Sequence, residues 1–518
     1  MSRILMLFFF SASFVSPALG QPITSRQIDS VSNLVLKTFN VPGIAVAVIK
    51  DNKVIHAKGY GVRSLATMQP VDENTLYGIA SNSKAFTTTA LAMLVDEKKI
   101  SWDDKVTDYI PEFRMYDRYV TEQFTIRDLL THRSGLGLGA GDLMFWPDSS
   151  SFTKQDMIRN LRYLKATSAF RTKYDYDNNL YMVAGEVLAR VTGMSWENFI
   201  QTRILDPLGM TMTAPSFKLL KNKSNVTEPH APVDGTVKVI RRDWNENANA
   251  AGGIYSNLTD LSKWVIMHLN DGKYGSNFEK RLISADTHKD LWAPQTIIEV
   301  GGPGTYNTHF AAYGLGFFLN DSKGYKQVSH TGGLAGIVTQ VTMIPELNLG
   351  IIVFTNQQQG AAFTAITNTI KDAYFGMPPV NRIKEYHDRV VANEASAEKI
   401  TSGIWEEIRL AQKNTQPVNA DKVLGTYHDK WFGDVTIVRK NGKLWFTAQK
   451  SFLLNGELTP YKGNTWVVKW GERSLDADAF VMFNESAEGK IERMTMKAIS
   501  PLTDFSFDFQ DLDFEKIN

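Results

Sequence analysis

Cysteine is absent from this sequence of 518 residues. Disulfide bonds, cysteine nucleophiles and thiolate metal ligands are therefore excluded, and the fold has to be stabilised by its apolar core. Hydrophobic residues make up 43% of the chain, which is enough for a large core. An excess of one charge is also absent, because the formal net charge is +1. We therefore expect neither a nucleic acid nor a membrane surface as a partner.

Long hydrophobic runs are missing except near the N-terminus. Arg3 precedes an apolar run over residues 4–15, and the small residues at 18 and 20 are typical of a signal-peptidase site. The run is shorter than the roughly 20 apolar residues that a membrane-spanning helix needs. The pattern therefore predicts a signal peptide over residues 1–20 and a secreted or periplasmic protein without a stable membrane anchor.

Apolar patterns predict a mixed domain over residues 21–377. Strand-like runs at 44–49 and 54–60 form a hairpin, and further runs at 338–344 and 350–354 lie far along the chain. Helix-like patterns fill the region between them. An antiparallel sheet built from both ends of the domain, flanked by helices and with an inserted helical region, satisfies this order. The predicted fold class is α+β.

The remaining sequence divides into two further segments. Residues 378–420 open with two prolines and continue as a charged, helix-prone stretch, which we interpret as a linker helix. Over residues 421–518, short aromatic and β-branched runs alternate with glycines. This pattern is typical of a small all-β barrel or sandwich.

A serine and a lysine three positions apart form the first motif, Ser81-Asn82-Ser83-Lys84. The helix-like pattern over residues 81–97 places both on one face, since residues three apart on a helix are neighbours. A serine hydroxyl becomes a nucleophile when a base takes its proton. Lysine can be that base once burial or nearby cations lower its pKa from about 10.4. The alternative is that Ser81 caps the helix and Lys84 lies on the surface.

The second motif, Tyr176-Asp177-Asn178, precedes another helix-like stretch. A tyrosine near the serine and lysine can pass a proton to a leaving group. An asparagine amide can hold Lys84 or a substrate, because it both donates and accepts hydrogen bonds. The alternative is an aromatic residue packed at a loop end beside a helix cap.

The third motif, His330-Thr331-Gly332-Gly333, follows a strand-like run. Glycines let the backbone approach a ligand closely, and an exposed strand edge can pair with a peptide-like substrate. The N–H groups of Gly333 and Ser81 are candidates for an oxyanion hole. The alternative is a glycine-rich turn beside a chance histidine.

The three motifs in this order resemble the serine β-lactamase and penicillin-binding-protein superfamily, in its class C branch. That branch also contains family VIII esterases and D-amino-acid-specific peptidases. The resemblance covers about residues 25–375 and includes LLTHRSG at 129–135, PLGM at 207–210 and YGLG at 313–316. The C-terminal segment resembles, more loosely, the lipocalin-like β-domain that some of these peptidases and esterases carry.

The resemblance implies a role for each motif residue. Ser81 would be the acylated nucleophile, Lys84 its base and Tyr176 a proton shuttle. Four residues would bind the substrate or line its site: Asn178, His330, Gly332 and Gly333. His132, in the LLTHRSG segment, would be structural. Neither a metal nor a cofactor is expected.

Two positions depart from the β-lactamase pattern. His330 stands where β-lactamases usually have lysine, and a mostly neutral histidine is a weaker anchor for a drug carboxylate. This favours esters or peptides over β-lactams. Asp177 stands where a small residue is usual, and it would either keep Lys84 protonated or face solvent.

The sequence therefore predicts a secreted serine hydrolase that cleaves an ester, amide or lactam bond through a covalent acyl-enzyme. Its partner would be a small-molecule or peptide substrate, with cell-wall fragments as one source. A penicillin-binding or sensor protein that acylates without efficient turnover is the alternative. A catalytically silent binding protein that acts through its β-domain is a third reading, against which the three intact motifs argue.

Overall fold

The structure, a computed structural model, describes residues 23–147, 149–242, 244–413 and 420–517. The predicted signal peptide over residues 1–20 lies outside the described residues. Within the described part, every helix is too short or too polar to cross a bilayer.

An eight-stranded antiparallel sheet forms the centre of the first domain. Its strand Gly43–Lys50 is apolar on both faces, and this accounts for its buried position. On Gly43–Lys50, Ile44 and Val46 pack into one core cluster while Ala45 and Ala47 pack into another. Both faces of the sheet are thus covered, as the predicted α+β class requires. The strand order is Lys53–Gly61, Gly43–Lys50, Leu349–Thr355, Ile337–Ile344, Tyr325–Leu334, Phe318–Ser322, Ala311–Tyr313 and Thr296–Ile298.

Helices cover both faces of this sheet and fill the region inserted between its strands. The N-terminal helix begins at a capping box, in which Thr24 and Gln27 exchange side-chain and backbone hydrogen bonds. The α-helices are Ser25–Thr38, Ser83–Asp96, Val106–Tyr109, Arg118–Gln123, Ile126–Leu129, Lys154–Asn160, Asn179–Thr192, Trp196–Ile200, Asp206–Leu208, Asn249–Gly252, Leu258–Leu269, Ala285–Leu291, Gly360–Tyr374 and Arg382–Lys413. Short strand pairs join Tyr77–Gly78 with Tyr255–Ser256, His230–Val233 with Thr236–Val239, and Lys273–Tyr274 with Lys280–Arg281.

The C-terminal segment is a closed antiparallel barrel. Of the two predicted architectures, barrel and sandwich, the barrel is therefore the one that forms. Its interior is packed with buried side chains such as Phe446, Trp470 and Phe514. In the strand Asn455–Lys462, the pairing register shifts next to a proline, Pro460. The strands are Gly425–Asp429, Gly433–Lys440, Lys443–Ala448, Asn455–Lys462, Thr465–Trp470, Ala479–Glu485, Ile491–Ala498 and Asp513–Lys516.

One segment of the barrel, residues 504–508, packs against the first domain; we call it the barrel segment. Its Asp508 is fully buried and accepts hydrogen bonds from the backbone N–H of Gly141, at 2.6 Å, and of Leu143, at 3.0 Å. Phe507 packs edge-on against Trp146, with ring centroids 6.4 Å apart. The barrel thereby satisfies backbone donors of a loop in the first domain.

Replacing Asp508 tests this attachment. In Asp508→Ala the two buried N–H donors lose their acceptor, and we expect the free energy of unfolding to fall by about 2 kcal/mol or more. Asp508→Asn keeps one acceptor oxygen, so a smaller loss is expected. Urea unfolding followed by tryptophan fluorescence measures both, with Asp421→Ala on the exposed barrel surface as the control. Equal midpoints for Asp508→Ala and the control would contradict the expectation.

Candidate active site

Ser81 lies in a tight turn that opens a buried helix. A 3-10 turn spans Ala80–Asn82, and the α-helix Ser83–Asp96 follows it directly, so the predicted helix over residues 81–97 is confirmed apart from its first turn. Ala80 adopts a left-handed conformation with φ of 51°, which is unusual for a residue with a Cβ atom. The turn places Ser81 at the positive end of the helix, which favours a developing negative charge.

The lysine of the first motif is completely buried, not on the surface. Its Nζ lies 3.1 Å from Ser81 Oγ, 2.6 Å from Asn178 Oδ1 and 3.0 Å from the carbonyl oxygen of Ala251. Burial lowers the pKa of Lys84 to about 7, and Asp142 opposes this shift. A neutral amine has two N–H groups, which the two carbonyl-type oxygens can accept. Its lone pair is then left for the proton of Ser81.

Tyr176 and Asn178 of the second motif both reach this lysine. Tyr176 is buried, and Lys84 Nζ lies 4.8 Å from the centre of its ring. Burial raises the pKa of the Tyr176 phenol well above its ordinary value, although the Ser81 hydroxyl partly offsets this. Asn178 precedes the helix Asn179–Thr192, but its side chain does not cap that helix. The side chain bridges Lys84 and Asp142 instead, with Nδ2 donating to Asp142 Oδ2 at 2.7 Å.

The middle residue of this motif corrects one prediction. Asp177 does not face solvent: it is fully buried, and its Oδ2 accepts a hydrogen bond from Ser134 Oγ at 2.6 Å. Its backbone N–H donates to His132 Nδ1 at 3.0 Å, so His132 holds the loop. The carboxyl group that acts electrostatically on Lys84 is that of Asp142. Asp142 was not predicted, because no local sequence pattern connects it to Lys84.

His330 of the third motif is buried and neutral. Its Nδ1 lies 2.6 Å from the carbonyl oxygen of Thr331 and therefore carries the proton, while Nε2 accepts from the hydroxyl of Tyr313 at 2.9 Å. Burial and the nearby Lys84 lower the pKa of His330 to about 3. This histidine is thus no cationic anchor for a substrate carboxylate.

The two glycines of the third motif face opposite ways. A Cβ atom on Gly332 would lie 2.3 Å from the carbonyl oxygen of Ile79 and 2.9 Å from Ala80 Cβ, so this residue packs under the turn that carries Ser81. A Cβ atom on Gly333 would meet open space, and Gly333 lines the cleft. Of the two glycines predicted to line the site, Gly333 therefore faces the cleft, whereas Gly332 faces the turn that carries Ser81.

The strand of the third motif offers a free edge at the cleft. Its neighbour Phe318–Ser322 pairs with it only as far as Ser329. Beyond that point, the described strands pair with it only on the other side, through Ile337–Ile344. The predicted substrate edge is therefore available along the strand end that carries His330 and Gly333.

Ser81 opens into a cavity of about 330 Å³. Its wall is largely aromatic, and the barrel segment supplies part of it. A second cavity of about 240 Å³ follows beyond Gly333 and Leu334 and lies between the two domains. The aromatic lining of the first cavity consists of Phe145, Trp146, Tyr174, Tyr176, Trp244, Phe318 and Phe505.

The opposite orientation of the two glycines leads to a matched pair of variants. Gly332→Ala pushes a methyl group into the backbone under Ser81, and we expect a large loss of activity. Gly333→Ala puts the same methyl group into open space, so the fold and the reactivity of Ser81 should be retained. Covalent labelling of Ser81 by a fluorophosphonate, followed by intact mass, compares the two. Equal labelling rates in both variants would contradict this geometry.

Comparisons with known proteins identify the family of this chain. A family model described as Beta-lactamase matches residues 33–374, and a domain of unknown function, DUF3471, matches residues 411–516. The hydrolase ungD of Aspergillus violaceofuscus, named for unguisins, is 30% identical over 70% of this chain and 67% of its own length. Protein flp of Staphylococcus aureus strain N315 is 28% identical over 64% of this chain, which spans only 63% of that relative.

Solved structures with the same overall fold include two that extend over 95% of this chain. They are the octameric penicillin-binding protein homologue from Pyrococcus abyssi, with a TM-score of 0.59 and 20% identity, and SurE, with a TM-score of 0.55 and 17% identity. The matched regions cover 100% and 99% of the two solved chains. At such low sequence identity, these matches show the fold alone. Because the family model extends over well over half of the sequence, this chain belongs to the β-lactamase family and is a serine hydrolase of the β-lactamase and penicillin-binding-protein superfamily.

Proposed function

We propose that the protein is a secreted hydrolase that forms an acyl-enzyme on Ser81, with Lys84 as the base that activates it. The observation that carries this proposal is the environment of the Lys84 amine. Two oxygens, from Asn178 and Ala251, accept its N–H groups while Ser81 Oγ lies 3.1 Å away. Such an amine takes the hydroxyl proton as the serine oxygen attacks.

In the proposed reaction, acylation of Ser81 is followed by hydrolysis of the acyl-enzyme. The Ser81 oxygen bonds to the substrate carbonyl carbon, and its proton passes to Lys84. The carbonyl oxygen becomes an oxyanion, for which the N–H groups of Ser81 and Gly333 are the proposed donors. As the bond to the leaving group breaks, the leaving group takes a proton. Water then attacks the acyl carbon, restores the Ser81 hydroxyl and releases the acid.

Tyr176 has a narrower role in this scheme than Lys84. Because burial holds its pKa well above the ordinary value, Tyr176 is a phenol at neutral pH and not a phenolate base. We therefore assign it as the donor that passes a proton to the leaving group, with Lys84, whose Nζ lies 4.8 Å from the centre of its ring, as the group that replenishes this proton. This divides the two proton-transfer roles between the two side chains.

The cleft favours a neutral acyl group. His330 is uncharged, and the cavity at Ser81 is lined largely by aromatic rings. We therefore rank an ester or a D-amino-acid peptide first, with a β-lactam next, and cell-wall fragments remain one proposed source. The second cavity beyond Gly333 gives room for an extended substrate. The signal-like pattern of residues 1–20 supports export.

Replacement of Ser81 tests the proposed reaction. With p-nitrophenyl butyrate, a D-alanyl amide and nitrocefin as substrates, Ser81→Ala should lose both product release and any acyl adduct, because the nucleophile is gone. Ser402→Ala, on the exposed face of the long helix, should behave like the unmodified protein. Intact mass detects the adduct and also shows whether the exported chain begins at Gln21.

Two other outcomes would redirect the assignment. A stable adduct without turnover would identify a penicillin-binding or sensor protein. Product release that survives in Ser81→Ala would rule out the acyl-enzyme on this residue.

The buried lysine also predicts the pH dependence of acylation. A base acts when it is deprotonated, so the rate should be lost as the pH falls through the Lys84 pKa of about 7. The fluorophosphonate labelling rate measured between pH 5 and 9, about two units either side, reports this limb. His330→Gln should keep the limb at the same pH, because His330, with a pKa of about 3, does not titrate in this range. A limb that disappears in His330→Gln would assign the base to the histidine.

A further inference from the structure

The barrel domain reaches the catalytic hydrogen bonds through one buried serine. Ser506 belongs to the barrel segment, and its Oγ donates to Asp142 Oδ2 at 2.8 Å. Asp142 is the first residue of a 3-10 turn, Asp142–Met144, in the first domain and is completely buried. The contact therefore joins residues that are 364 positions apart.

The same carboxylate oxygen holds the amide that contacts the catalytic lysine. Asp142 Oδ2 also accepts from Asn178 Nδ2, at 2.7 Å. Because the NH₂ group of Asn178 is directed at Asp142, its carbonyl oxygen faces Lys84 Nζ, at 2.6 Å. A reversed amide would present N–H to the amine and compete for its lone pair. The orientation of Asn178 thus decides whether the lone pair of Lys84 faces Ser81.

Asp142 is surrounded by charged or ionisable groups, which makes the hydrogen bond from Ser506 important for it. A charged Lys84 lowers the pKa of Asp142, while a charged Asp504 raises it. Asp142 in turn acts on Asp177 and Asp508, which are both fully buried and have raised pKa values. Burial raises the pKa of Asp142 itself to about 8, and the hydrogen bonds from Asn178 and Ser506 oppose that rise. Donors to this carboxylate are needed because an unpaired buried acceptor is costly.

We propose that Ser506 is a positioning residue for acylation. By donating to Asp142 Oδ2, it fixes this carboxyl group, which orients Asn178 and leaves the Lys84 lone pair directed at Ser81. The proposal rests on the role of Lys84 as base in the proposed function. It also makes the barrel part of the active site, since the domain supplies a group on which the catalytic geometry depends.

Two other roles for Ser506 make different predictions. Ser506 borders the cleft, so it could act by touching the substrate, in which case KM would change. It also lies between two domains, so it could contribute only to their attachment, in which case stability alone would change. A positioning role lowers the rate constant of acylation at saturating reagent and leaves apparent affinity unchanged.

Single-turnover labelling with a fluorophosphonate measures that rate constant without knowledge of the natural substrate. We expect Ser506→Ala to react about tenfold more slowly at saturation, the loss typical of one buried hydrogen bond. The matched control is Ser451→Ala. Ser451 is a fully buried barrel serine that pairs with Ser150 of the first domain, and its hydroxyl has no hydrogen-bond partner among the described residues. Its replacement should leave the rate unchanged.

A second pair of variants separates the hydroxyl from packing. Ser506→Thr and Ser506→Val have the same shape, but only threonine can donate to Asp142. We expect threonine to restore the rate and valine to resemble alanine. This comparison still decides the question if Ser506→Ala unfolds, provided that thermal unfolding shows equal stability for the pair. Equal rates for threonine and valine would overturn the proposal.

A double-mutant cycle tests whether Ser506 acts through Asn178. If it does, Ser506→Ala should have almost no further effect in an Asn178→Ala background. Additive losses would overturn the relay and assign Ser506 a direct contact with the reagent. Lys84→Ala tests the proposed function separately. Labelling at the full rate in Lys84→Ala would show that Lys84 is not the base. Slow labelling in Lys84→Ala, together with unchanged labelling in Ser506→Ala, would contradict only the proposed positioning role of Ser506.

Discussion

The burial of one amine is the constraint on which the rest of this molecule depends. Lys84 is fully enclosed, and in water its ammonium would be far more stable than its neutral form. Enclosure lowers its pKa to about 7 and so makes a base available near neutral pH. The neutral form needs two acceptors, and the fold supplies them from Asn178 and Ala251. The proposed nucleophile, the proposed base and the residues that hold them are thus brought together around one desolvated amine.

The backbone around Ser81 is built for close approach. Ala80 adopts a left-handed conformation, which costs free energy and persists because the surrounding structure imposes it. Gly332 allows the strand of the third motif to pass directly beneath this turn, where any side chain would collide with Ile79 and Ala80. The sheet edge and the nucleophile are therefore fixed relative to each other by packing of main chain on main chain.

The barrel is part of this arrangement and not an appended module. Its segment contributes Phe505 to the wall beside Tyr176, with ring centroids 5.8 Å apart, and Ser506 to the carboxylate of Asp142. Asp508 satisfies two amides of the loop that carries Asp142. The interior of the barrel is packed with aromatic side chains, so its contribution to the cleft comes from its surface. Residues of both domains thus line the cavity at Ser81.

Local sequence determined the elements and part of the site. Strand-like runs of apolar residues predicted the hairpin and the α+β class, because short runs rich in β-branched residues that flank a turn favour strands. The spacing of Ser81 and Lys84 predicted their contact, because residues three apart on a helix are neighbours. Only the tertiary structure decided that Asp177 is buried, that Gly332 and not Gly333 packs under the turn of Ser81, and that Asp142 and Ser506 join the site. These depend on contacts between segments far apart in sequence, which no local period encodes.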